Sequence, residues 1–258
     1  MELLGYFGAL CIGLVLGLTG GGGSILTVPI LVYILSINPV VATAYSLFIV
    51  GTTSAFGAIQ NYRKNLVDIK NGFIFAIPSF IAVYLTRKFI VPQIPEIILK
   101  APFVITKNMF LMVFFAVIMI FGALSVLKKK NAEALPTQNR NILFIGIQTF
   151  CIGIIIGLVG AGGGFLIIPS LILFVKLPMR KAIGTSLFII AMNSIIGFMG
   201  DVQNITIDWL FLLTFSSISV VGIFIGMYWS KFTNETQLKK IFAYFVLIMA
   251  GIIMLKEF

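Results

Sequence analysis

GLTGGGGSILTVP (residues 17–29) and GLVGAGGGFLIIP (residues 157–169) are two versions of one stretch, 140 positions apart in a chain of 258 residues. The same shift, without a gap, lays Ser46-Leu47-Phe48-Ile49 over Ser186-Leu187-Phe188-Ile189. It also pairs Cys11 with Cys151, Pro29 with Pro169, Ser54 with Ser194, Gly57 with Gly197 and Asp68 with Asp208. An apolar chain matches Leu and Ile by chance, but not Gly, Pro, Ser and Asp in one register. The sequence is therefore an internal duplication.

What is duplicated is apolar. Hydrophobic residues make up 60% of the chain, its mean hydropathy is +1.13, and only 10% of residues are charged, against roughly a quarter in soluble domains. No water-soluble fold suits that composition. Apolar runs fall at about 3–18, 24–37, 39–60, 72–91, 108–127, 142–159, 164–175, 181–200, 208–230 and 240–255. A straight span needs about 20 residues, which the third, fifth, eighth and ninth runs supply. The first, second, sixth and seventh are shorter, and each short pair meets at a glycine cluster. Lipid tolerates broken backbone only where protein buries it or it lines a watery cavity. The glycine clusters therefore mark an interior feature. The first run does not read as a secretory signal: it carries Glu2, no Lys or Arg precedes position 63, and its copy reappears in mid-chain.

There are 18 Lys+Arg against 8 Asp+Glu, and the cations cluster between apolar runs, at Arg63-Lys64, Lys128-Lys129-Lys130 and Arg180-Lys181. That pattern reads as membrane orientation and not as a nucleic-acid surface. Equivalent loops carry opposite bias. Ser36–Asn38 is uncharged where Lys176, Arg180 and Lys181 are basic, and Arg63-Lys64 is basic where 201–208 holds two Asp and no cation. Because cations favour the cytoplasm, equivalent loops lie on opposite sides. The expected fold is an all-α, multi-pass inner (plasma) membrane protein of two inverted-topology repeats, each of about five hydrophobic segments, with short broken helices meeting at glycine-rich turns. The repeats are 1–130 and 142–258, joined by a cytoplasmic linker, 131–141, with both termini outside. The cations of 87–107 (Arg87, Lys88, Lys100 and Lys107, among Pro92, Pro95 and Pro102) oppose that orientation. The segment near 89–107 has no counterpart in the second half and is read as an insertion on the outer surface.

Paired broken helices in inverted repeats are how many secondary transporters build a site near the bilayer midplane. Gly20, Gly21, Gly22 and Gly23 precede a short helix near Ser24, and Gly160, Gly162, Gly163 and Gly164 precede its equivalent near Phe165. A helix N-terminus offers unpaired N–H groups and partial positive charge to an anion, and glycine lets backbone approach a ligand. Close helix packing through small residues is the competing explanation. On the third segment of each half, Ser46 and Ser54 share a helix face, as do Ser186 and Ser194. With Asn193 they offer neutral donors, although hydrogen bonds between helices would also use such groups. Gln60, Asn61, Arg63 and Lys64 sit at one mouth. Asp201 and Asp208 are placed at the opposite membrane boundary, and no charged side chain is expected clearly mid-span.

The chain has no histidine and two cysteines, both within apolar runs, so neither a metal nor a cofactor is indicated. A rhomboid-like protease would need a histidine and a membrane zinc protease its H-E-x-x-H. An intramembrane aspartyl protease would need two aspartates inside the membrane. An enzyme is therefore disfavoured. An anion channel stays open beside a carrier, since helix-end dipoles serve both.

The duplicated GLxGxGGGxxxxP with a following xSLFI helix resembles the TauE/SafE (sulfite exporter) permeases over nearly the whole chain. The first copy has Gly21 where the second has Ala161, and Ser24 where the second has Gly164. The resemblance implies a permease for small anions such as sulfite, related oxidised sulfur compounds, sulfonates or organic acids, with the two glycine stretches lining the substrate.

Overall fold

The computed structural model describes residues 2–99, 105–128, 142–160 and 162–257, so the expected linker 131–141 lies outside it. The described chain is helical apart from a small antiparallel hairpin, β1 (Ile97–Leu99) with β2 (Ile105–Thr106). The helices are α1 (Glu2–Thr19), α2 (Gly22–Pro29), α3 (Pro39–Arg63), α4 (Ile69–Leu85), α5 (Val91–Gln93) and α6 (Lys107–Lys128), then α7 (Ile142–Val159), α8 (Gly164–Ser170), α9 (Met179–Asp201), α10 (Trp209–Trp229) and α11 (Glu235–Glu257).

The repeat register reappears in the elements. Helices α1 and α7 have bounds 140 positions apart, and α3 and α9 start 140 apart. Each half-helix passes a proline, Pro29 or Pro169, and continues as a π-helical stretch, Ile30–Ile34 or Leu171–Val175. A proline lacks the N–H that an α-helical ladder needs, and a wider turn accommodates that gap. Both half-helices are followed by a left-handed residue in register, Ser36 (φ 55°) and Lys176 (φ 58°). The next helices open on matched caps. Asp68 accepts from Asn71 N–H at 3.1 Å, and Asp208 accepts from Phe211 N–H at 3.0 Å.

Packing exchanges the halves. Helix α1 lies along α10 while α7 lies along α4, and α3 pairs with α9 at the centre. Two hydrogen bonds make the exchange explicit. The Asp68 N–H donates to the Thr185 hydroxyl at 2.9 Å, and the Asp208 N–H donates to the Tyr45 hydroxyl at 2.8 Å. Tyr45 and Thr185 are equivalent positions, so each cap is held by the opposite repeat. Close approach along α1 and α10 rests on glycine: a methyl group on Gly13, Gly222 or Gly226 would strike backbone of the facing helix.

Among the described residues four stretches, Pro39–Arg63, Ile69–Gln93, Met179–Asp201 and Trp209–Phe232, are long and apolar enough to cross a membrane. Large apolar side chains face outward on many helices, among them Phe7, Phe121, Leu210 and Leu255. In water such an exterior would drive aggregation, but it suits lipid. The molecule is a multi-pass membrane protein.

The chain does not turn out onto a surface at Arg87 as expected. Helix α4 runs on through a π-helical stretch, Thr86–Ile90, into α5, which carries Arg87 to full burial while Lys88 stays exposed. The described part of the expected insertion begins beyond it.

Candidate functional site

Both long arms stop at glycine. Gly20 and Gly160 close α1 and α7 with N–H bonds to Leu16 O (2.8 Å) and Ile156 O (2.9 Å), then take φ of 74° and 71°. Gly162 and Gly163 follow at 62° and 71°. Side chains with a Cβ pay for that region, so the local turn itself calls for glycine. The two turns touch: a methyl group on Gly21 would lie 2.5 Å from the Gly164 carbonyl carbon.

The sequence candidates divide around this contact. The Ser186 hydroxyl donates to Gly20 O at 2.8 Å, and Ser24 donates to Gly21 O at 2.6 Å, so these two hydroxyl protons are used. Gly162 faces Ser194, whose Oγ would be 2.8 Å from a methyl group there. Asn193 Oδ1 lies 2.9 Å from the Ser79 hydroxyl, whose one proton is shared with Phe75 O at 2.7 Å, and its Nδ2 is without a partner. Ser46, Ser54 and Ser194 are fully buried and their hydroxyls also lack a protein partner. Gly23 and Gly163 serve packing, against the Ile12 carbonyl and the Ile156 side chain respectively. Gly22 opens α2.

Buried polar groups normally find partners. Here five donors on α3 and α9 do not, namely Ser46, Thr53, Ser54, Asn193 Nδ2 and Ser194, the last of them facing Gly162 in the turn before α8. Such a centre is neutral and offers hydroxyl and amide groups able to donate to a ligand.

Two cavities lie on either side. One, of about 230 Å³, is lined by Asn61, Lys64, Arg180, Met227 and Lys231. The other, of about 300 Å³, is lined by Val40, Val91, Lys107, Asp201 and Asn204. The lining is equivalent in the repeat register: Asn61 with Asp201, Lys64 with Asn204, Arg180 with Val40, and Lys231 with Val91. Neither cavity is lined by the turn glycines. Ile183, packed on Gly20, closes the first, and Asp201, backed by Arg87 against Gly160, closes the second.

The Arg87–Asp201 pair is what sequence reasoning missed. Asp201 ends its span, at the boundary where it was expected, but is only 5% exposed, and Arg87 lies buried toward the end of the stretch Ile69–Gln93. Arg87 is 0% exposed, its Nη1 3.2 Å from Asp201 Oδ2, and it donates to Thr43 Oγ1 at 3.1 Å. At the equivalent positions Asn61 donates to Gly57 O at 3.0 Å and points Nδ2 at Met227 Sδ, 4.0 Å away. The sequence signal lay in the register itself, which sets Arg87 over Met227 and Asp201 over Asn61. Asp208, by contrast, is a helix cap. Outside the spans, burial first and the charge of Lys231 second press the Lys64 amine below the usual lysine range.

A family model described as sulfite exporter TauE/SafE matches residues 6–253. The chain is 26% identical over 216 residues to a "probable membrane transporter protein" of Xylella fastidiosa, covering 82% of this chain and 78% of that protein. Against two Bacillus subtilis proteins named as probable membrane transporter proteins, YunE and YdhB, identity is 27% and 28%. The YunE match covers 78% of each chain and the YdhB match 86% of each. No solved structure matches the chain.

Proposed function

This chain belongs to the sulfite exporter TauE/SafE family, and from that premise we propose that it carries a small anion, sulfite or a related oxyanion, by alternating access around the paired glycine turns. That it is a membrane transporter agrees with its relatives' names. The observation that supports the site is the set of unpartnered buried donors on α3 and α9, Ser46, Thr53, Ser54, Asn193 Nδ2 and Ser194, of which Ser194 faces Gly162 in the turn before α8, whose Gly164 touches Gly21. An anion entering there would gain hydrogen bonds that these groups lack and meet the N-terminal ends of α2 and α8.

Movement follows from the two-fold exchange of elements. One repeat rocking against the other would open one cavity toward the turns as it closes the other. The end bearing Lys64, Arg180 and Lys231 is assigned to the cytoplasm of an inner membrane by the excess of cations there. A closed centre between two cavities supports a carrier over a channel.

The test is counterflow in proteoliposomes loaded with unlabelled sulfite and given trace labelled sulfite outside, with sulfate, sulfoacetate and chloride as parallel internal anions. Transient, saturable accumulation of label identifies the carrier and ranks its substrates. Unsaturable flux with single-channel currents makes it a channel. Gly162→Ala, which sets a methyl against Ser194, should cut counterflow at least tenfold in folded protein. Unchanged counterflow removes the glycine turn from the site.

A further inference from the structure

We infer that Arg87 is an oxyanion-binding residue at the entrance from the Asp201 cavity, with Asp201 as the counter-ion that the arriving anion displaces. This rests on the transport reading above and names a residue that the glycine turns and their hydroxyls do not include.

The Arg87 guanidinium carries five N–H donors. The group is fully buried, where every N–H normally has an acceptor. Only Nη1 is engaged, by Thr43 Oγ1 at 3.1 Å and, electrostatically, by Asp201 Oδ2 at 3.2 Å. The Asp201 contact lacks hydrogen-bond alignment, since Oδ2 has no hydrogen-bond partner. Nε and Nη2 have no partner at all. Those two nitrogens form the side edge of a guanidinium, whose parallel N–H bonds match two oxygens of one carboxylate or oxyanion.

Nη2 lies where a methyl group on Gly160 would collide with it, and Thr43 shares that corner. The free edge therefore borders the left-handed turn of the second repeat. Gly160 is the position at which only a missing Cβ leaves room for the guanidinium. Asp201 reaches the other way and lines the 300 Å³ cavity with Lys107 and Asn204. An anion in that cavity meets the carboxylate first and the guanidinium behind it.

Charge decides the exchange. Two ions held out of water are costly unless well hydrogen-bonded, and this pair is poorly aligned. An oxyanion on the Nε–Nη2 edge would give Arg87 two aligned charge-assisted bonds. Asp201 would then turn toward the cavity it already lines. The equivalent pair, Asn61 and Met227, has no charge and no such edge. The oxyanion therefore meets a specific ligand at one end of the molecule and only loosely placed cations at the other.

The experiment exploits that equivalence. R87M/D201N copies onto one end the pair already present at the other, and leaves no buried charge unpaired. Binding of sulfite, with sulfate and acetate in parallel, is followed by thermal shift and by labelled-ligand binding to purified protein in detergent. The double variant should remain monodisperse and bind sulfite at least roughly 30-fold more weakly, as expected when a buried charged partner is lost. D201N alone should be stabilised more by sulfite than the wild type is, because the anion replaces the missing carboxylate. A purely structural pair predicts no such gain. Wild-type affinity in folded R87M/D201N overturns the assignment while leaving the transport reading intact, and that variant decides the matter if D201N does not fold. Absence of oxyanion binding and counterflow in the wild type overturns both.

Discussion

At one end of the α3–α9 pair, Arg87 is buried behind Asp201, which lines a cavity. At the other, the equivalent positions hold Met227 and Asn61, and Lys64, Arg180 and Lys231 gather in the cavity itself. The backbone frame is common to both ends, down to the caps at Asp68 and Asp208 and their hydroxyl partners across the interface. Two ends of one duplicated frame thus handle charge differently: one buries a fixed pair, the other keeps three cations at an opening. A carrier that worked identically in both directions would have no use for that difference. In the carrier proposed above, it would let the anion be gripped on one side and released toward a diffuse positive field on the other.

The sharpest way to break the comparison is to remove one partner at each end. Arg87→Met strands the Asp201 carboxylate in the interior and should cost about 3–5 kcal/mol, read from denaturant or thermal unfolding in micelles. Met227→Leu, a swap of similar volume, should cost less than about 1.5 kcal/mol. Equal losses would mean that the pair is solvated in the membrane and that the two ends do not differ in the way described.

A smaller effect separates the two glycine corners. Gly20 and Gly160 share a left-handed backbone, at 74° and 71°, so alanine at either should cost about 1–2 kcal/mol through strain alone. At Gly160 the methyl also meets the Arg87 guanidinium and Thr43, whereas at Gly20 it meets Ile183. Gly160→Ala should therefore be the worse of the two, and combining it with Arg87→Met should cost less than the sum of the separate losses. Strict additivity in that double-mutant cycle would show that the guanidinium does not press on the turn. Gly146→Ala, where nothing lies within 4 Å of the added methyl, should be close to neutral.

These corners also show how far sequence reasoning reached. The glycine turns were legible because a left-handed backbone and a backbone-to-backbone contact both demand a residue without Cβ, and duplication repeated the demand. Ser46, Ser54 and Ser194 were legible as polar residues in apolar runs, and the structure adds that their hydroxyls are unpartnered. Arg87 was missed because its neighbours, Lys88 and three downstream prolines, have the composition of an exposed segment. Adjacent side chains on the helical stretch after Leu85 point to different faces, so one of two neighbouring cations turns inward, and hydropathy carries no information about which. Comparing the halves residue by residue would have exposed it, since the register sets an arginine over a methionine and an aspartate over an asparagine.

The least of the expected effects tests the diffuse end. Lys64 follows directly on α3 and reaches solvent, yet burial first and Lys231 second disfavour its charged form. A lowered lysine pKa means that the unfolded chain binds that proton more readily than the folded one. The linked stability is therefore lost while Lys64 is forced to be charged and is regained as pH rises through the lowered value toward the ordinary lysine value near ~10.4. At about pH 9 the Lys64 amine should acylate faster than a lysine in a short peptide, measured by mass spectrometry with limiting reagent. Lys231→Gln should slow that reaction without abolishing the excess, because burial remains. No change on removing Lys231 would mean that the cations at this end do not sense one another, and the cavity would lose its claim to a shared positive field.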